Sequence, residues 1–253
     1  MIDIDFESLE LIVIEAGNAA QAMKSKRLKI DETNPENFQS EADLLLHEKY
    51  FARLPSILNV PVLSEEDIDL ESRLDSDIYW IVDPIDGTLS YINGFPTYVT
   101  QIGLVIGKMP VLGFVFAPEL GELYKARRGM GATRNGQKIQ VSRHSRPMTI
   151  VDNYPKPDTY VAALMTRMEI PSYLECGSIG LKICRVAEGR ADIFVKHTRV
   201  FDWDIAPGSL ILNEAGGSYG LISGEAYLFE ASLRKPNFQA SNAKRLYDLN
   251  PVI

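Results

Sequence analysis

The chain has 253 residues, 45% hydrophobic and 24% charged, which is enough for one large domain or two small ones around a sizeable core. Its 34 acidic residues against 26 Lys and Arg give a net charge of −8. That balance argues against a protein that coats nucleic-acid phosphates, yet it leaves room for a small anionic substrate whose site a metal ion reverses in sign. Cys176 and Cys184 form no CxxC motif and have no histidine cluster beside them. This speaks against a disulfide framework or a zinc site and for reduced thiols in a cytoplasmic protein. The start, MIDIDFESLE, is acidic where a signal peptide would be basic, and no apolar run is long enough for a membrane span.

Along the chain, residues 6–25 place Leu9, Ile12, Val13, Ala16, Ala19, Ala20 and Met23 at helical spacing. A polar loop, residues 24–38, follows. A second helix is expected from Ser40, in SEADLLLHEKYFARL, with Ser40 and Asp43 resembling a capping box and Leu54-Pro55 ending it. PVLSEED reads as a strand entering an acidic turn, and IYWIVD (78–83) as a buried strand. YVTQIGLVIG, PVLGFVFAP and GELYKAR read as an antiparallel meander, and GMGATRNGQKIQVS as a hairpin turning at Asn135-Gly136. Pro-containing linker text, RHSRPMT and YPKPDT, then leads into alternation. TYVAALMTRM is helical, SYLEC a strand, GLKICRVAEG a helix ending at Gly189, ADIFV a strand, and IAPGSLILNEAGG a helix closed by Gly216-Gly217. The expectation is an α+β half over residues 1–143, with an antiparallel sheet, and an α/β half over 144–253. A site between them is expected.

Four acidic stretches stand out: Asp43 in SEAD, Glu65-Glu66 in LSEED, Asp83 and Asp86 in DPIDGT, and Asp204 in FDWDIAPG. Two aspartates three residues apart at a strand end make sense around a hard divalent cation. Mg²⁺ takes oxygen ligands, needs few protein carboxylates, and keeps places for water and phosphate. Pro84 stiffens the turn, the Ile85 carbonyl is a further oxygen donor, and Gly87 lets a phosphate approach the backbone. A helix beginning at Thr88 would add an anion site. A metal site touching a phosphate site is what phosphate-ester hydrolysis requires. Each residue also has a plainer role. Asp43 suits a helix start, Glu65-Glu66 a solvated turn, Asp204 a helix cap, and Asp83 and Asp86 an ordinary turn.

In order, S-E-A-D, S-E-E-D, W-I-V-D-P-I-D-G-T and W-D-I-A-P-G-S-L-I-L-N-E-A-G-G resemble the inositol monophosphatase superfamily over nearly the whole chain. The resemblance implies a layered αβαβα sandwich of the inositol monophosphatase and fructose bisphosphatase type. It implies two or three Mg²⁺ ions, inhibition by Li⁺, a small phosphorylated substrate and a possible homodimer, with no nucleic-acid polymer or membrane as partner. Carried over by motif, Glu65, Asp83, the Ile85 carbonyl, Asp86 and Asp204 hold metal. Gly87 and Thr88 hold phosphate, Asp43 and Thr88 position the attacking water, and Glu66 supports the catalytic site from behind the ligands. The implied reaction is direct in-line attack of metal-activated water on phosphorus, with no phosphoenzyme. His47, His144 and His197 have no place in it.

The substrate signals diverge. GSIGLKICRVAEG resembles the bacterial 3'(2'),5'-bisphosphate nucleotidases, with Ser178 and Lys182 facing substrate. VKHTRVFDW adds Lys196 and Arg199, which suit a second anionic group or are simply an exposed basic loop. INGFPTYVTQIGL is closer to the inositol enzymes, G-S-I-G-L-K is one residue longer than usual, and the loop before Asp43 departs from both groups. Lys29 is read as that loop's phosphate-facing lysine. The nucleotidase is the favoured expectation, with an inositol, sugar or histidinol monophosphatase as the alternative. A phosphatase with an aspartate nucleophile would need D-x-D-G-T, one residue shorter than the spacing here. A non-catalytic binder would need a missing acidic position, and every one is filled.

Overall fold

The computed structural model describes residues 4–24, 41–66, 76–144, 147–153, 155–229, 234–235, 237–243 and 249. Most of the loop read over residues 24–38, Lys29 and the Ser40 cap lie outside these. Helix α1 (Phe6–Lys24) starts at Asp5, whose carboxylate accepts from the Ser8 amide at 3.0 Å and the Ser8 hydroxyl at 2.6 Å. Its buried stripe is Leu9, Ile12, Val13, Ala16 and Ala20. Gly17 shares that face, and a Cβ there would stand 2.5 Å from the Phe116 ring, so only glycine lets the helix lie this close. α2 (Glu41–Lys49) is followed by a 3-10 turn (Phe51–Arg53) and α3 (Leu54–Ile57). The single helix expected from Ser40 is thus broken. Pro55 lies in the first turn of α3, where its missing N–H costs nothing, and it does not end a helix.

Next come β1 (Val62–Ser64), β2 (Ile78–Asp86), the short α4 (Thr88–Ile92), β3 (Val99–Ile106), β4 (Met109–Ala117), β5 (Glu122–Arg127), β6 (Ala132–Arg134) and β7 (Gln137–Lys138). These seven strands form one sheet in chain order. β1 runs parallel to β2, and each later pair is antiparallel. Asn135 and Gly136, at φ 48° and 78°, make the last hairpin turn.

The second part contains β8 (Thr149–Asp152), α5 (Thr159–Arg167), β9 (Ser172–Glu175), α6 (Ile179–Ala187), β10 (Ile193–Lys196), β11 (Val200–Phe201), α7 (Asp202–Glu214), β12 (Ser218–Gly220), β13 (Arg234–Lys235) and β14 (Phe238–Ser241). A five-stranded mixed sheet runs β12-β14-β10-β8-β9, and β11 and β13 form a separate ribbon. The expected linker before residue 159 conceals β8, which pairs in parallel with both β9 and β10. Helix α7 begins three residues before Ile205, and the strands after Gly217 have no counterpart in the sequence reading.

Alternation along the strands feeds three cores. Trp80, Val82 and Phe114 join Leu9, Ile12 and Leu46 between the large sheet and helices α1 and α2. Ile81, Val115 and Phe194 join Leu181, Ile183, Ile205 and Ile211 between the two sheets, around α6 and α7. Ile150, Ile193 and Val195 join Val161 and Leu164 of α5 on the far side of the small sheet. The result is the layered αβαβα order. α7 is buried on nearly all sides, as a middle-layer helix must be. It crosses β4 so closely that a Cβ on Gly113 would stand 2.5 Å from the Pro207 carbonyl oxygen. Among the described residues, no helix is long and apolar enough to cross a membrane.

Candidate functional site

The site forms at the end of β2. A regular strand would turn residues 83 and 86 to opposite faces. Here the ladder shifts: Asp83 pairs with Gln101 while Asp86 pairs with Val99, so β2 carries one residue more than β3. The bulge contains Pro84, which has no N–H to give the ladder, and its carbonyl accepts from the Thr100 hydroxyl at 2.9 Å. Both carboxylates therefore face the middle layer. Asp204, in the first turn of α7, meets them there. Oxygens of Asp83, Asp86 and Asp204 lie within 4.8 Å of one another.

The three carboxylates are held differently. Asp86 lies on the N-terminus of α6: it accepts from the Ser178 hydroxyl at 2.6 Å, the Gly180 amide at 2.6 Å and the Ile179 amide at 3.1 Å. Asp204 accepts the Phe201 amide at 3.1 Å; it does not cap the helix, as the sequence suggested, but is the third residue of α7 and bonds back to the amide of the N-cap, Phe201. Asp83 is buried, and neither of its oxygens has a hydrogen-bond donor. Burial raises the Asp83 carboxyl well above the usual carboxylate range, and Glu65, Asp86, Asp204 and Asp43 add repulsion. Burial also raises Asp86, against the pull of Ser178, Gly180 and Ile179. Asp204 is pushed up to about 8, by burial first and Asp86 second, although the Phe201 amide and Lys196 oppose the shift.

Glu65 and Glu66 form the turn after β1, which runs beside β2. Glu65 is accessible from the cleft mouth but densely surrounded. Desolvation, then Asp204, Asp43, Glu66 and Asp86, raise its carboxyl well above normal. Glu66 is buried, and its amide meets the Ser64 hydroxyl at 3.3 Å. His47, given no role by the sequence, ties α2 to this strand through the same hydroxyl at 3.0 Å. Asp43 is buried on α2.

Gly87, at φ 91°, turns β2 into α4, and a Cβ there would stand 3.2 Å from the Ser178 backbone. The Thr88 hydroxyl donates to the Ile85 carbonyl at 3.1 Å. A cavity of about 530 Å³ opens here, and Glu65, Asp86, Gly87, Thr88, Asn153, Lys182 and Lys196 are among the residues that line it. Ser178 directs its hydroxyl at Asp86 and also accepts the Leu181 amide at 2.9 Å as the cap of α6. Lys182 is buried with its ammonium 2.6 Å from Asn153 Oδ1, and burial lowers its pKa. His197 lies aside, 3.3 Å from Asp158 and stacked on Tyr160. Asn153 and Gln101 both escape the sequence reading: one follows the overlooked β8, and the other looks like any polar residue in a strand.

A cluster of buried carboxylates with unpaired oxygens is unstable as anions alone, since each charge forgoes hydration without gaining a counter-charge. An all-oxygen donor set of this kind fits a hard divalent cation such as Mg²⁺. The Asp83 oxygens, buried without a donor, are the specific fit.

Residues 4–250 match the model of the inositol monophosphatase family. The chain is 38% identical to tomato (Solanum lycopersicum) inositol monophosphatase 1 over 147 residues, so it spans about half the length of that relative, 54% of each chain. It is 32% identical to the 3'(2'),5'-bisphosphate nucleotidase CysQ of Aggregatibacter actinomycetemcomitans over 187 residues, 70% of each. The fold superimposes on the IMPase of Thermotoga maritima with a TM-score of 0.80 and 27% identity, over 94% of this chain and 92% of that one. The chain belongs to the inositol monophosphatase family, whose members are metal-dependent phosphomonoesterases.

Proposed function

We propose that this protein is a Mg²⁺-dependent phosphomonoesterase acting on a 3'(2'),5'-bisphosphate nucleotide, releasing phosphate and, from adenosine 3',5'-bisphosphate, AMP. The observation that carries the hydrolase is Asp83, two buried oxygens without a donor at the centre of an acidic cluster beside an open cavity. In this reading Glu65, Asp83, the Ile85 carbonyl, Asp86 and Asp204 hold the cation. When bound, it lowers the pKa of a water and neutralises charge on the phosphoryl group. Gly87 and Thr88 take the phosphoryl oxygens, while Asp43 and Thr88 orient the water and Glu66 stands behind the ligands. Water gives up a proton and attacks phosphorus, the P–O ester bond breaks opposite, and the leaving oxygen takes up a proton, so that ester and water become alcohol and phosphate. Residues 1–143 then carry most of the cation site, and residues 144–253 close it with Asp204 and read the substrate.

The second phosphate is read by Lys182 and Lys196, two lysines that line the same cavity as Thr88. The likeness to CysQ supports this. The second reading, an inositol, sugar or histidinol monophosphate, draws on the higher identity to the tomato enzyme and on the Asn153 contact that already occupies Lys182.

Phosphate release with Mg²⁺, from adenosine 3',5'-bisphosphate against inositol 1-phosphate and with or without Li⁺, separates the readings. Preference for the bisphosphate supports the nucleotidase, and preference for the inositol ester replaces it. No release from any phosphomonoester removes the hydrolase.

A further inference from the structure

Pro207 leaves a gap in α7. Within a helix, the amide of residue 207 would donate to the carbonyl of residue 203, four positions earlier, and proline has no amide hydrogen to give. The Trp203 carbonyl is therefore without its helical donor in a buried place. It is served from another layer: Gln101 of β3 donates its side-chain amide to the Trp203 carbonyl at 3.0 Å and the Asp204 carbonyl at 3.2 Å. The same nitrogen lies 3.4 Å from Asp86 Oδ2. All three neighbours are acceptors, which fixes the orientation of the amide group. Gln101 is fully buried and stands directly opposite Asp83 in the ladder. Its Oε1 accepts no hydrogen bond and lies where a Cβ on Gly180 would come within 2.4 Å. One side chain thus touches Asp86 and the backbone of Asp204, while its own backbone pairs with Asp83.

We propose that Gln101 is a positioning residue that sets Asp204 against Asp86 and Asp83 by replacing the hydrogen bond that Pro207 denies to the first turn of α7. The role rests on the cation-site reading above, and it makes Gln101 and Pro207 a matched pair. Replacing Gln101 alone strands the Trp203 carbonyl and frees the turn that carries Asp204. Restoring an N–H at position 207 makes the donor less necessary.

The experiment is a double-mutant cycle read by calorimetric Mg²⁺ binding and by thermal midpoint, using the wild type, Gln101→Met, Pro207→Ala and the double variant. Methionine keeps the volume and removes the donor. Residues that orient metal ligands typically change affinity by about 10–100-fold, so Gln101→Met is expected to weaken Mg²⁺ about tenfold. In the Pro207→Ala background the loss is expected to shrink to about threefold or less. Wild-type affinity in Gln101→Met, or an equal loss in both backgrounds, overturns the proposal. Asp83→Asn is the control. If it binds Mg²⁺ like the wild type, the cation-site reading fails, and this inference with it. If Mg²⁺ binding follows the cycle but no phosphomonoester is hydrolysed, only the proposed activity fails.

Discussion

Ser178 faces two ways: its hydroxyl donates to Asp86 Oδ2 at 2.6 Å and accepts the Leu181 amide at 2.9 Å. The cap of α6 and the anchor of a candidate cation ligand are one oxygen. Ser178→Ala should therefore cost about 1 kcal/mol of stability, as the loss of a helix cap does. It should also weaken Mg²⁺ binding by about tenfold. Thermal unfolding and calorimetry check the two effects separately. A drop in midpoint with unchanged Mg²⁺ affinity would reduce Ser178 to a cap.

Asp83→Asn should act in opposite directions. It removes a buried carboxyl that burial and its acidic neighbours keep from ionising as it does in the unfolded chain, so the cation-free protein should gain about 1–2 kcal/mol near pH 8, a rise of roughly 3–6 °C in midpoint. Mg²⁺-dependent stabilisation and phosphatase activity should disappear. A destabilised variant that still responds to Mg²⁺ would contradict the reading of this carboxylate.

The pH dependence follows from the same crowding. The Asp204 carboxyl is pushed up to about 8 from an ordinary value near 4. Between those values the folded, cation-free protein keeps a proton that the unfolded chain has released. Its stability should fall as pH rises through this window. Cation binding expels that proton, so the Mg²⁺-induced rise in midpoint should grow from pH 5.5 to 8.5. Melting curves in chelator and in Mg²⁺ would show it, and parallel curves would count against it.

Lys196→Ala should weaken a bisphosphate about five- to tenfold more than a monophosphate, since a half-buried lysine loses part of a charged hydrogen bond's worth to solvent. Comparing kcat/KM for the two substrates tests it. Equal losses would mean that this lysine does not read the second phosphate.

The acidic cluster was legible in the sequence because its members lie in short, spaced motifs, with Asp83 and Asp86 closing a continuous apolar run. The meander and the Asn135-Gly136 turn were legible for a similar reason, since alternation and turn chemistry agree there. β8 was not. Four residues, Thr149–Asp152, sit between proline-bearing stretches, and a strand covered on both faces shows no alternation. The start of α7 was misplaced because Phe201, Asp202 and Trp203 read as the end of the basic stretch VKHTRVFDW, whereas Asp202 already begins the helix. Lys182 reads as a substrate contact in sequence, whereas its bond to Asn153 depends on two elements far apart in the chain. Gln101 was invisible for the same reason: its partner is a carbonyl exposed by a proline about a hundred residues away.

The bulge at Pro84 has a consequence for strand parity. Up to Asp83, odd-numbered residues of β2 face the middle layer, as Ile81 does, and even-numbered ones face the outer helices, as Trp80 and Val82 do. Past the bulge the rule inverts, with Ile85 on the outer side and Asp86 inward. Regular pairing of β2 with β3 beyond Asp83 would carry Asp86 to the wrong layer. The one extra residue in β2 is thus a change of parity written into the strand, and it keeps the two aspartates on one face.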